Sequence, residues 1–439
     1  MANSKLFTPF QLGPITLRNR FIRSAAFENM ARANRPTKEL QDYHVSVARG
    51  GVGMTTVAYC AVDLSGVSFD GQLYVQDEII PDMKRMTDAI HAEGAKASIQ
   101  LGHCGNMTHF YTCHCMPVSA DSWFNLYSPT IHRRLRVPEI KRLVQKFGEA
   151  VDWARKCGFD CVEIHAGHAY LISQFLARRT NHRHDEYGGS LENRMRFMNE
   201  VLDAVMEHAG NDMAVVVKTN MWDDCWHGVS VEEGITIAKE IAKHHVHGII
   251  LSGGTVSRSP MTILSGAMPY KTLAHYMNMK SFWWLKAALN IPGVAAIMTP
   301  TSPFHELYFM DKAKLFQQAF EEVYQRPTTN DQRPTLIYVG GVQSGDNCQT
   351  IMDEGFELFQ LAHVLIKDPD FVKHVQANPH YHAGCGRSNY CVGRMYTLDM
   401  KCHECVERDG EIIPRRLQRE IAKLEKQAER SVAEQRNIH

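Results

Sequence analysis

The chain has 439 residues, 44% hydrophobic and 22% charged, an ordinary globular composition long enough to bury a large core. Lys plus Arg equal Asp plus Glu at 48 each, so no net field draws the protein to nucleic acid or anionic lipid; the expected partners are small molecules. The opening MANSKLFTPFQLGPITLRNR lacks the apolar centre of a secretory signal, and no run reaches the roughly 18 uninterrupted apolar residues of a membrane span.

Twelve cysteines scattered through so long a chain read as reduced thiols or ligands, and the expected compartment is the cytoplasm. Short β-rich apolar runs then alternate with amphipathic helical stretches. In chain order the predicted strands are Phe21–Ala25, Gly53–Tyr59, Ala95–Leu101, Asp160–His165, Ala214–Asn220, His247–Ser252, Leu336–Gly341 and Leu358–Ala362. Helices are predicted over Asp82–Glu93, Pro138–Lys156 and Leu191–His208, where apolar residues recur at helical spacing. A further apolar run, Val294–Met298, is assigned to an insertion.

Alternation alone fits an open doubly wound sheet as well as a barrel. No GxGxxG turn follows the first strand, and eight strands precede a cysteine-rich tail, so the α/β class expected is a (β/α)8 TIM barrel. Residues 1–372 are assigned to the barrel and 373–439 to a C-terminal extension. Two long insertions interrupt the barrel. Residues 103–137 are rich in His, Cys and Pro, and 255–335 contain the aromatic run Phe282, Trp283 and Trp284. A charged terminal helix carries one apolar stripe, Leu417, Ile421 and Leu424. That stripe implies docking, on the barrel or on a second copy of the chain in a homo-oligomer.

A barrel places its chemistry at the C-terminal ends of its strands. The fourth strand ends in VEIHAGHAYLISQFL, which gathers His165, His168 and Tyr170 there. Two imidazole N–H donors three residues apart can hold a carbonyl or nitro oxygen as negative charge develops on it. Tyr170 offers a phenolic proton for a carbon becoming carbanionic. The same residues also read as two structural histidines with a packing tyrosine, or as two metal ligands lacking a third. His109, Cys113, His114 and Cys115, in the loop after the third strand, have no recognised ligand spacing and read as rim.

Downstream runs ARRTNHRHDEYGGSLENRMRF. Together with the HAGHAY segment it resembles the signature of the old yellow enzyme family, broadly the NADH:flavin oxidoreductases. Ala169 stands where glycine is usual, a conservative departure on sequence grounds. The resemblance extends to LFTPFQLGPITLRNRFIRSA and to QLGH, whose Gln100 would contact the flavin pyrimidine. It extends also to VVVKTN, whose Lys218 would lie near flavin N1 and O2, where a cation stabilises the anionic reduced flavin. YVGGVQS and LAHVLIKDPDF resemble the phosphate site at the seventh and eighth strands, with Gly340 and Gly341 admitting the phosphate to backbone N–H groups. Ala362 and His363 replace the usual Gly-Arg or Ala-Arg, and losing that guanidinium is expected to weaken phosphate binding unless the backbone and a protonated His363 suffice. The first strand carries Ala25, Ala26 and Phe27 where members of the family place Pro or Ser, a variable residue, and often Thr, Cys or His near flavin N5 and O4, so the resemblance implies a flavin potential different from that of typical members.

The resemblance implies FMN as cofactor, NADH or NADPH as electron donor, and hydride transfer to an α,β-unsaturated carbonyl-type substrate. His165 and His168 would bind the substrate oxygen and Tyr170 would protonate the α-carbon. Iron–sulfur relatives such as the 2,4-dienoyl-CoA reductases carry four cysteines in the tail. Here Cys385, Cys391, Cys402 and Cys405 are accompanied by Ser388 where the second ligand should be. This leaves open a dehydrogenase or demethylase with an iron–sulfur site, and zinc bound by the same Cys and His set. From other classes come a flavin-free lyase using a Lys218 Schiff base, and a barrel acting only as a scaffold.

Overall fold

A computed structural model describes residues 4–126, 128–277, 301–324 and 333–436 of the chain. Its centre is a ring of eight parallel strands. These are β1 (Phe21–Arg23), β2 (Met54–Ala61), β3 (Lys96–Gly102), β4 (Cys161–Ala166), β5 (Ala214–Asn220), β6 (Gly248–Ser252), β7 (Thr335–Val339) and β8 (Leu358–Leu361). Each pairs with its neighbour, and β8 closes on β1 through Phe359 opposite Phe21 and Leu361 opposite Arg23. The (β/α)8 barrel expected from eight strands and the missing GxGxxG turn is therefore the fold, and all eight strands lie where the pattern put them.

Strand ends shift by a few residues for identifiable reasons. β7 stops at Val339 because Gly340 and Gly341 take φ of 122° and 75°, outside the β region. β8 stops at Leu361 because Ala362 leaves extended geometry. The three predicted helices are present as Ile80–Ala92, Val137–Lys156 and Leu191–Ala209. Val294–Met298 and the aromatic run at 282–284 lie outside the described residues.

Alternation along each strand separates two cores. Val162 and Ile164 of β4, with Val215 and Val217 of β5, point outward into the shell beneath the helices. Cys161, Ala214, Val216, Ile250, Ile337 and Leu358 point inward and fill the lower barrel. A hairpin of Phe10–Leu12 and Ile15–Leu17 adds Leu12, Ile15 and Leu17 to that inner cluster and plugs the N-terminal end. Function is left to the upper end.

The insertion at 103–137 forms a small sheet, with Trp123–Asn125 antiparallel to Thr130–Arg134 and the latter parallel to Val118–Ser119. The terminal helix, Arg415–Arg436, docks on its own chain. Leu417 and Ile421 pack with Tyr390, Val406, Ile413 and Tyr276. Its Glu420 carboxylate accepts from the N–H groups of Lys271 and Thr272, at 2.8 Å each, which caps the rim helix Tyr270–Tyr276. The stripe is thus buried on the rim of the barrel's upper end.

Candidate active site

Two residues above the apolar layer, the inward positions turn polar. Glu163 is fully buried on β4, and Lys218 on β5 approaches it at 2.8 Å. Gln100 of β3 donates to one oxygen of Glu163 at 2.6 Å, and Gln360 of β8 donates to the other at 2.8 Å. Ser24 joins the set, giving its hydroxyl proton to Gln360 at 2.9 Å and accepting from Lys218 at 3.3 Å. A buried carboxylate is tolerated because one cation and two amides satisfy it. Sequence reading found Gln100 and Lys218 but not Glu163, Gln360 or Ser24. Glu163 lies two residues before His165 on one strand face, so strand periodicity carried that signal. This pairing engages the Lys218 amine with a carboxylate and a hydroxyl, an arrangement unlike a nucleophile free to attack a carbonyl.

One layer higher, the structure brings His165, His168 and Tyr170 together. The His165 and His168 rings are 5.1 Å apart, and the His165 and Tyr170 rings 4.8 Å, both edge-on. Tyr59 packs at 5.3 Å from Tyr170, and its buried hydroxyl lacks a partner among the described residues. Nδ1 of His165 accepts the Gly167 N–H at 3.3 Å, so a neutral ring carries its proton on Nε2, available as a donor. Nε2 of His168 shares a 2.7 Å hydrogen bond with the Ser252 hydroxyl. Asn220 accepts the His168 N–H at 3.1 Å and fixes the turn.

Burial, then the neighbouring His168 and the Lys218 charge, hold His165 well below the usual imidazole range. Burial and Lys218 push His168 down to about 3. Both rings are therefore neutral at physiological pH. Burial pushes Tyr170 up from 10, so it keeps its proton. His168 and Ala169 both adopt left-handed backbone, φ 58° and 64°. Ala169 is thus no conservative replacement for glycine: a Cβ in that conformation costs about 1 kcal/mol.

Of the first-strand pair, Ala25 packs with Phe27, Tyr59 and Tyr170, whereas Ala26 turns away against Ile366, Cys391 and Met400 of the C-terminal half. Gly340 and Gly341 sit at the end of β7, and among the described residues neither N–H has an acceptor. A Cβ on Gly341 would meet the Leu307 nitrogen at 2.5 Å, which requires glycine there. Ala362 and His363 follow at the end of β8. The expected protonated His363 is corrected: burial and the nearby Arg387 charge push it down to about 3, so it is neutral and adds no charge for a phosphate.

These groups fit FMN. Gln100 retains a carbonyl oxygen without a partner among the described residues, suited to a ring N–H, and Lys218 supplies a cation. The free Gly340 and Gly341 N–H groups suit a phosphate.

A cleft of about 460 Å³ opens beside Ala169, walled by Trp123 and Phe124 of the insertion and by Arg179, Thr255 and Arg258. Of the rim quartet, His109 bonds to Ser128 at 2.8 Å while the Cys113 thiol turns to the Cys115 carbonyl oxygen at 3.2 Å. In the tail, Cys385, Cys391 and Cys402 line a small cavity with Ser388, while the Cys405 thiol faces the Lys367 carbonyl oxygen at 3.3 Å. Among the described residues no group of three His, Cys, Asp or Glu side chains is arranged to hold a metal. No helix among them is long and apolar enough to cross a membrane.

Comparison with known proteins agrees with this architecture. The chain is 32% identical over 409 residues to a 4,4'-dithiodibutanoate disulfide reductase of Rhodococcus erythropolis, covering 93% of this chain and 96% of that one. It is 33% identical over 291 residues to an NADH oxidase of Thermoanaerobacter brockii, covering 65% of this chain but only 44% of that protein's length. In structure it resembles an old yellow enzyme homologue from Zymomonas mobilis, with a TM-score of 0.65 at 22% identity over 86% of this chain and 94% of that one. The model of the NADH:flavin oxidoreductase / NADH oxidase family matches residues 5–258, more than half of the chain. The chain belongs to that family, the old yellow enzyme group of FMN-dependent oxidoreductases that draw electrons from NADH or NADPH.

Proposed function

We propose that this oxidoreductase reduces the activated carbon–carbon double bond of a small α,β-unsaturated carbonyl compound. The observation that carries the reading is the neutral His165–His168 pair meeting Tyr170 edge-on at the end of β4. Bound FMN supplies the hydride chemistry between the nicotinamide and the acceptor. Gln100, Lys218, Gly340 and Gly341 would hold it, with Ala25 along the reaction edge and Ala362 and His363 beside the phosphate.

The acceptor enters by the cleft beside Ala169, and its carbonyl oxygen takes N–H bonds from the two histidines. Neutral donors suit this task, because they stabilise the enolate charge as it develops without binding every anion in solution. Tyr170 gives its phenolic proton to the α-carbon. Burial raises its proton affinity in isolation, so the transfer depends on the carbanionic character of the acceptor at that moment.

The test is the Tyr170→Phe variant followed by anaerobic stopped flow. Bleaching of the yellow absorbance by NADPH should stay fast, while its return with cyclohexenone slows by about 10²–10⁴-fold. An unchanged return would remove Tyr170 from the role.

A second reading rests on a separate observation: the relative that matches this chain end to end is named as a disulfide reductase. In that reading Tyr170 protonates the departing thiolate of a small organic disulfide. Turnover of 4,4'-dithiodibutanoate with little turnover of cyclohexenone would favour it.

A further inference from the structure

We infer that Arg387, carried in from the C-terminal segment, supplies the guanidinium that grips the flavin phosphate where the end of β8 offers none. The inference rests on FMN lying with its phosphate at the ends of β7 and β8.

Three observations meet at this residue. First, the end of β8 reads Ala362-His363, and His363 is neutral, so the strand itself brings no cation. Second, Arg387 is 3% exposed, yet among the described residues no carboxylate pairs with it. Its Nε has no hydrogen-bond partner, and Nη1 makes only one long contact, 3.5 Å to the Leu264 carbonyl oxygen. A buried guanidinium in that state has given up its water and received almost nothing in return. Stacking 4.2 Å over the Phe304 ring compensates only in part.

Third, its location is that of the missing group. Arg387 lines the small tail cavity of Cys385, Cys391 and Cys402 together with His363 and the ion-paired Lys367 and Glu404, and its charge helps to depress His363. On the other side, Tyr308 feels the same charge and lies against the Cα atoms of Gly340 and Gly341, where a Cβ would meet its ring at 3.3 and 2.9 Å. Tyr308 and Arg387 bond to consecutive carbonyls, those of Ile263 and Leu264. The unpaired guanidinium is thus linked to the end of β8 through the cavity it shares with His363, and to the end of β7 through Tyr308, which lies against the two glycines whose N–H groups have no acceptor among the described residues. An anion at this point is the partner these donors lack, and a guanidinium fork matches a phosphate.

The flavin's phosphate is absent from riboflavin, which makes the test clean. Apoprotein is titrated with FMN and with riboflavin, following quenching of flavin fluorescence. The unaltered chain should prefer FMN strongly. Arg387→Met should weaken FMN about 10- to 100-fold and leave riboflavin within about twofold, since the charge-assisted pair to the phosphate is lost and the stacking on Phe304 and the long Leu264 contact bear on both flavins alike. Adding His363→Arg to that variant should restore much of the preference. Arg387→Lys keeps the charge and stem but loses the fork, and should fall between; it serves if the methionine variant does not fold. Equal weakening of both flavins, or an unchanged preference in the variants, would overturn the assignment. If the unaltered chain does not distinguish FMN from riboflavin, the placement of the phosphate fails instead.

Discussion

Along the same strands, the lower and upper halves of the barrel interior are built from opposite chemistry. Below, Cys161, Val216, Ile250, Ile337 and Leu358 form one apolar cluster, sealed by the hairpin at residues 10–17. Two residues up, the same inward positions become Glu163, Lys218 and Gln360, and above them His165 and Asn220. A side-chain period of two lets one strand serve both ends without a bend or bulge. The lower half needs only volume and shape, whereas the upper half needs every donor matched to an acceptor. Groups left unmatched there among the described residues, such as the glycine N–H groups, the Tyr59 hydroxyl and Arg387, are ones a ligand can satisfy.

The contrast can be broken first at its boundary. Glu163→Leu leaves the Lys218 ammonium buried without its counter-charge and should destabilise the fold by about 3–5 kcal/mol, read as a lower urea midpoint. Glu163→Leu with Lys218→Met should regain most of that stability while losing flavin affinity; a double variant no more stable than the single would show that the pair is not acting as a unit. Below the boundary, Ile250→Ala should cost about 2–4 kcal/mol by leaving a cavity, with little effect on the rate at which cyclohexenone restores the yellow absorbance. A matching loss of rate would mean that the lower core also positions the upper end.

The smallest effect on ligand binding is that of pH. His165, His168 and His363 stay neutral in the folded chain to well below the ordinary imidazole value of about 6.5, and His168 and His363 down to about 3. Between these values the unfolded chain binds more protons than the folded one. Stability is therefore full above about pH 6.5 and is lost progressively as pH falls below it. Phenol binding to the histidine pair should stay flat from pH 8 to 5 while the urea midpoint declines. A tenfold change in phenol affinity through pH 6.5 would show that the pair titrates normally.

The barrel was legible because strand and helix periods, with their turn residues, report burial directly. Residues on one strand end were legible too: His165, His168 and Tyr170 are close in sequence, and a turn brings them close in space. The Glu163 network was only half visible, since its face is set by strand parity but its partners come from strands 3, 5 and 8. Arg387 could not be read at all. Nothing local distinguishes the arginine of GCGRSNYC from a solvent-facing one; its meaning comes from a tail that folds back over β7 and β8. His363 misled for the same reason, because its charge state depends on burial and on that distant arginine. The family resemblance gave the positions at which to look for the phosphate, but not the residue that this chain brings there.

Closure of the ring has a consequence in time. Ser24 bonds to Gln360 across 336 residues, and β1 finds its second neighbour only when β8 is in place. During synthesis the first strand therefore waits with one edge open until the last has left the ribosome, and the barrel completes late and through non-local contacts. Such chains fold slowly and expose sheet edges while they wait.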